Sequence, residues 1–182
     1  MKLLKTLFSI GAISAISTGF LSSIVEVPSS AVYAFPKLQT IQTQALGTYV
    51  LKTYLNGRVL DFSNSAKQGE PVLLVNKHRG ESQQWQLIRL ENGYYIIKSI
   101  VNERVLDFRN AQNNKEPLVI ANEHGKDNQQ WELKQLSNGR YLIKSKLTGR
   151  VLDFRNNDNN REPVLLVDEH RGHSQQWILE KI

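Results

Sequence analysis

From residue 45 onward the apolar positions recur with a period near two, and nowhere do they sustain the 3.6-residue period of a helix. Short runs rich in β-branched and aromatic residues stand out, the first four being Tyr49–Tyr54, Arg58–Phe62, Val72–Val75 and Gln84–Ile88. Polar punctuation separates them. Asn56-Gly57 lies between the first two runs, and Asn92-Gly93 and Asn138-Gly139 follow later. Asn-Gly is the strongest short hairpin signal, and the turn expected from it is type I′, with positive φ at both residues. Pro71, Pro117 and Pro163 each open a run, where a missing N–H is tolerated. The pattern predicts an all-β protein.

That pattern is written three times. Residues 45–90, 91–136 and 137–182 superimpose without insertion or deletion, and 16 of the 46 positions are identical in all three copies. In the first copy they include Arg58-Val59-Leu60-Asp61-Phe62, Glu70-Pro71, His78 and Gln83-Gln84-Trp85. Four strands per repeat give twelve. A propeller needs about four or more blades to close, whereas three repeats of this length fit a β-trefoil. That fold is a six-stranded barrel capped by three hairpins, with pseudo-threefold symmetry. Leu60, Phe62, Trp85, Leu87 and their copies would supply its single core.

The first 34 residues differ in kind. Lys2 and Lys5 open a basic start, an apolar run extends from Leu7 to Val27, and Ala31-Val32-Tyr33-Ala34 supplies small residues. This order predicts a secretory signal, of Gram-positive length, cleaved after Ala34. The mature protein would be secreted and extracellular, with no membrane insertion after cleavage. Residues 35–46 read as a loosely ordered leader, and 47–182 as the domain. Cysteine is absent, so the domain relies on its core alone. Of the net charge of +6, Lys2, Lys5 and Glu26 account for one unit, leaving +5 from residue 35 on. Those cations are spread along the chain rather than clustered, which argues against a nucleic-acid partner. The sequence calls for no cofactor and no metal, since pseudo-threefold copies of one histidine lie far apart. His173-Ser174 occurs in one repeat only and lacks an orienting carboxylate, so no catalytic residue is assigned and the protein is read as not an enzyme.

Gln83-Gln84-Trp85, Gln129-Gln130-Trp131 and Gln175-Gln176-Trp177 each follow a Val-Leu-Asp by a little over twenty residues. Over residues 47–182 this resembles the ricin-B-type β-trefoil lectin family. The middle copy, with His124-Gly125 and Asn128-Gln129-Gln130-Trp131, is similar to galactose-binding mushroom lectins of this fold. The resemblance implies a carbohydrate-binding lectin with up to three weak sites for galactose or N-acetylgalactosamine ligands. Its partners would be glycans on cell surfaces or glycoproteins, and it would serve alone or as the targeting component for a separate toxin or enzyme chain.

The site residues so implied are Asp61, Asp107 and Asp153, Gln83, Gln129 and Gln175, Asn128, and His78, His124 and His170. Their chemistry suits a sugar. A carboxylate accepts from two vicinal hydroxyls, an amide both donates and accepts, and a flat ring stacks on the C–H face. The family's usual aromatic is absent, because Val75-Asn76, Ala121-Asn122 and Val167-Asp168 stand near its place, and histidine is the only flat ring nearby. Ser82 and Ser174 replace Asn128 in the outer repeats, which leaves the middle site best preserved. Structural duties compete for the same residues. The tryptophans belong to the core, and the glutamines are suited to bonding buried loop backbone. Strand alternation points Asp61 away from Leu60 and Phe62, either outward into a groove or toward Arg58 or a backbone N–H. The rival function is a non-lectin trefoil serving as an interaction scaffold or inhibitor, which would depend on one distinctive loop and so on unequal repeats.

Overall fold

The computed structural model describes residues 43–63, 67–155 and 159–182. The expected signal segment, most of the leader, and the repeated Asn64 and Asn156 lie outside the described residues. Among the described residues there are thirteen strands: β1 (Gln44–Thr53), β2 (Val59–Asp61), β3 (Leu73–Val75), β4 (Trp85–Arg89), β5 (Tyr95–Ser99), β6 (Val105–Phe108), β7 (Glu116–Ala121), β8 (Trp131–Gln135), β9 (Tyr141–Ser145), β10 (Val151–Asp153), β11 (Glu162–Pro163), β12 (Leu165–Val167) and β13 (Trp177–Lys181). The count exceeds twelve because the third strand of the last repeat is divided into β11 and β12. The leader reading is corrected at its end: Gln44 to Leu46 are strand, paired with Arg89 and Ile88 of β4.

Strands β1, β4, β5, β8, β9 and β13 pair antiparallel in that order, and β13 pairs with β1 to close a six-stranded barrel. Closure leaves no open edge among them. The hairpins β2–β3, β6–β7 and β10–β12 cap one end. A ring of backbone hydrogen bonds joins the caps: Val72 N to Leu118 O at 2.9 Å, Leu118 N to Val164 O at 2.9 Å, and Val164 N to Val72 O at 3.1 Å. Each repeat therefore hands one donor to the next, and no repeat completes the cap alone. The fold is a β-trefoil.

The identical apolar positions form one core. Trp85, Trp131 and Trp177 are fully buried, with Leu60, Phe62, Leu87 and their copies around them. A buried indole N–H needs an acceptor, and each finds one on the second strand of its own repeat: Leu60 O at 3.1 Å, Leu106 O at 3.2 Å and Leu152 O at 3.3 Å. The Trp is thus both the largest apolar filler and a strut between the first cap strand and the fourth strand. Its placement explains why the tripeptide repeats without drift.

The Asn-Gly turns differ from the type I′ expectation. Gly57, Gly93 and Gly139 have positive φ, but the asparagines before them do not. Gly93 N donates to Leu90 O and Leu90 N to Tyr94 O, which defines a three-residue loop ending in a left-handed glycine. The dipeptide signalled the hairpin correctly and the loop length wrongly, because both geometries place glycine at a left-handed position.

Candidate functional site

Each second strand of a repeat ends near an aspartate, and each stretch before the Trp folds back over that aspartate. Short 3₁₀ turns, Glu81–Gln83, Asp127–Gln129 and His173–Gln175, deliver the glutamine to it. Sequence patterning gave no sign of these turns, since three residues are too few for a period.

In the first repeat Gln83 has no exposed surface and uses its whole amide. Its Oε1 accepts from His78 N at 2.9 Å, and its Nε2 donates to Asn76 O at 3.1 Å and Asp61 Oδ2 at 3.0 Å. Gln129 and Gln175 are equally buried and bond the same way: to His124 N, Asn122 O and Asp107 in the middle repeat, and to His170 N, Asp168 O and Asp153 in the third. Of the two roles open to these glutamines, bonding the buried loop backbone is the one their hydrogen bonds fill. They pin the loop and aim the carboxylate.

Of the two orientations open to the aspartates, the structure shows the one toward a backbone N–H. Asp61, Asp107 and Asp153 are 4–5% exposed rather than turned out to solvent. Alternation does place them opposite the core face, but the following loop closes over that face. Asp61 Oδ1 accepts from Phe62 N at 2.7 Å, and its Oδ2 accepts from both Gln83 and His78 Nε2, the latter at 3.0 Å. Asp153 repeats this with Phe154 N, Gln175 and His170 Nε2 at 2.8 Å. A carboxylate has about four lone-pair sites. Described residues occupy three of them in each case. Arg58 turns instead to Asn159 O.

His78 and His170 are half exposed, and their tautomer follows from their partners. Nδ1 of each accepts from a backbone N–H, that of Gly80 and Gly172 respectively at 3.1 Å, so Nε2 carries the proton and donates to the aspartate. The backbone bond itself recurs in the middle repeat, where Lys126 N donates to His124 Nδ1 at 3.2 Å, but the close approach of the ring in the outer repeats is made beside glycine. A Cβ at Gly80 or Gly172 would lie 2.6 Å from the ring's Cε1.

The middle repeat has Lys126 at that position, and His124 Nε2 stands 3.6 Å from Asp107 Oδ2, beyond hydrogen-bond range. Asn128 takes over, donating to Asp107 Oδ1 at 2.5 Å and to Phe108 O at 3.3 Å. The structure therefore assembles the sequence-predicted residues into three clusters: Asp61, His78 and Gln83; Asp107, His124, Asn128 and Gln129; Asp153, His170 and Gln175. Sequence reasoning missed the flanking Lys115 and Arg155, which line a groove of about 340 Å³ with Asp153, His170, Leu165 and Val167. The signal for Arg155 was available in its adjacency to Phe154. That for Lys115 was not, because it comes from the neighbouring repeat.

Comparison with known proteins agrees with this architecture. The family model described as ricin-type beta-trefoil lectin domain-like matches residues 37–121, 81–167 and 127–182. Among solved structures, the designed threefold-symmetric protein ThreeFoil is similar at 30% identity and a TM-score of 0.72, over 75% of this chain and 99% of that one. A ricin B-like lectin from Macrolepiota procera, solved with lactose, is similar at 19% identity and a TM-score of 0.66, over 78% of this chain and 99% of that one. An exo-β-1,3-galactanase from Clostridium thermocellum shares the fold at 23% identity and a TM-score of 0.70, over 78% of this chain but only 31% of the enzyme. No curated protein sequence matches. With a family match running in three stretches from residue 37 to the last residue, the chain belongs to the ricin-type β-trefoil lectin family.

Proposed function

We propose that the protein is a secreted, non-enzymatic lectin that holds galactose or N-acetylgalactosamine residues of cell-surface glycans at up to three rim sites. Family membership supports carbohydrate binding in general. The observation that carries the finer reading is the threefold aspartate, each fixed by a fully buried glutamine. Such a carboxylate is preorganised, so a sugar hydroxyl meets it without the cost of ordering a side chain. The similar Macrolepiota procera lectin was solved with lactose, a galactose-ended sugar. A contact that rests on one preorganised carboxylate is weak, and multivalent surfaces gain through avidity. Export would follow from the segment 1–34, and delivery of a separate toxin or enzyme chain is the role such a module would serve.

A glycan array probed with the exported protein tests this. Retention on galactose- or N-acetylgalactosamine-ended glycans, lost when free lactose is added, is the expected result. If no glycan retains the intact protein, the lectin reading fails and the interaction-scaffold alternative takes its place.

A further inference from the structure

We infer that the third-repeat groove takes an acidic glycan, one whose carboxylate or sulfate lies beside the sugar that meets Asp153. This rests on the lectin reading above and adds to it a ligand class for one site.

The three sites share their aspartate but not their flanks. The residue after the invariant Phe is Ser63, Arg109 or Arg155, and the facing hairpin of the neighbouring repeat offers Arg161, Gly69 or Lys115 respectively. In the middle site the cation is already used. Arg109 Nη2 donates to Gly69 O at 2.7 Å, a seat that exists because Gly69 lacks a Cβ, which would fall 1.8 Å from Nη2. In the third site Lys115 fills that place, and Arg155 has no such seat. Both Lys115 and Arg155 are exposed, both line the groove with Asp153 and His170, and neither side chain makes a hydrogen bond or ion pair among the described residues. Lys115 sits at φ +71°, a left-handed conformation for which the first repeat uses glycine. The chain thus holds a cation at the groove mouth against backbone preference.

Two acidic groups of the third repeat already have donors, whereas the buried Glu162 has, among the described residues, only Arg58 at 3.9 Å. Asp153 accepts from Phe154 N, Gln175 and His170, and Asp168 is bonded by Arg150 Nε at 2.9 Å and Asn114 Nδ2 at 2.8 Å. The groove therefore presents two positive charges at its rim that no described residue pairs, one carboxylate acceptor in its wall, and apolar Leu165 and Val167 beside it. A neutral disaccharide leaves both cations unanswered. A ligand with an anionic substituent satisfies them through charge-assisted hydrogen bonds.

The test compares wild type with Lys115→Gly/Arg155→Ser, which installs the residues that the first repeat carries at the equivalent positions, Gly69 and Ser63. Titration calorimetry would use lactose, 3′-sulfated lactose and sialylated lactose. The expected result is one site per wild-type chain that prefers an acidic ligand about tenfold over lactose, with the preference shrinking between 50 and 500 mM salt. In the double variant that preference disappears while lactose binding is kept. Preference for the sulfated or the sialylated sugar alone identifies the acid and supports the site. Equal affinity for lactose and both acidic sugars overturns the inference while leaving the lectin reading intact, as does a preference that survives in the variant. Failure of all three sugars to bind removes both. Arg155→Gln, which keeps the side-chain stem, should show about half the logarithmic loss and guards against a misfolded double variant.

Discussion

Asp107→Asn changes one atom of a side chain, and the structure says that atom has nowhere to go. If the new amide keeps its oxygen at the Oδ1 position, it still accepts from Phe108 N at 2.6 Å and Asn128 Nδ2 at 2.5 Å. Its NH₂ then faces Gln129 Nε2 at 2.8 Å, donor against donor. Gln129 cannot flip to answer it, because its Oε1 accepts from His124 N and Gly125 N and its Nε2 also serves Asn122 O. If the Asn flips instead, its NH₂ meets the fixed Phe108 N–H. Either way one buried charge-assisted hydrogen bond is lost and one buried donor is left without an acceptor. The first costs about 1.5–3 kcal/mol and the second adds to it, so about 2–4 kcal/mol is expected. At about 3–4 °C per kcal/mol for a domain of this size, the melting temperature should fall by roughly 6–16 °C. Thermal unfolding followed by circular dichroism reads this directly, and lactose titration on the same sample should show loss of the middle site. A variant that melts within 2 °C of wild type would mean the carboxylate is not held as the hydrogen-bond network requires.

Two further outcomes follow from single contacts. Gly80→Ala is compatible with the backbone, at φ −69° and ψ 154°, but its Cβ must displace the His78 ring. Nitrogen NMR of that ring should show loss of the Nε2–H hydrogen bond to Asp61, for less than about 1 kcal/mol of stability given the exposure of His78; an unchanged ring signal would contradict the steric argument. Glu180 is bonded by Lys52 and Lys77, which hold its carboxyl below the ordinary value of 4.5. With the folded pKa depressed, the stabilisation is present above the unfolded pKa and is lost as pH falls through the folded one, so Glu180→Gln should flatten the acid limb of the stability curve and leave the variant less stable than wild type at neutral pH, where equal stability would refute the bridge.

The fold was legible because its signals are local and repeated. Period-two alternation and the Trp positions place every core strand, and three copies without a gap demand threefold closure. The site was legible in its membership but not in its burial. Asp61 does point away from Leu60 and Phe62, as alternation requires. What covers it arrives from Gln83, 22 residues on, through a three-residue turn too short to announce itself. Arg109 finds its acceptor on Gly69, 40 residues back in the preceding repeat, and no pattern within one repeat encodes such a contact.

The drift between copies becomes intelligible once the buried carboxylate is taken as the fixed requirement. A charge removed from water must be repaid in hydrogen bonds, and each aspartate has three protein donors. Two never change: the next residue's N–H and the glutamine amide. The third is histidine where glycine stands two residues after it, as at Gly80 and Gly172, and asparagine where Lys126 stands there and the ring, still bonded by Lys126 N, lies 3.6 Å from the carboxylate. Positions 80 and 82, 126 and 128, and 172 and 174 therefore vary as pairs, Gly with Ser and Lys with Asn. The consequence for binding is unequal. In the outer sites Oδ1 carries one described donor and a half-exposed histidine covers the other oxygen. In the middle site it is Oδ2 that carries one described donor, with His124 already standing off at 3.6 Å. One fold, by exchanging the third donor, thus leaves a different carboxylate oxygen the less engaged in the middle repeat than in the outer two.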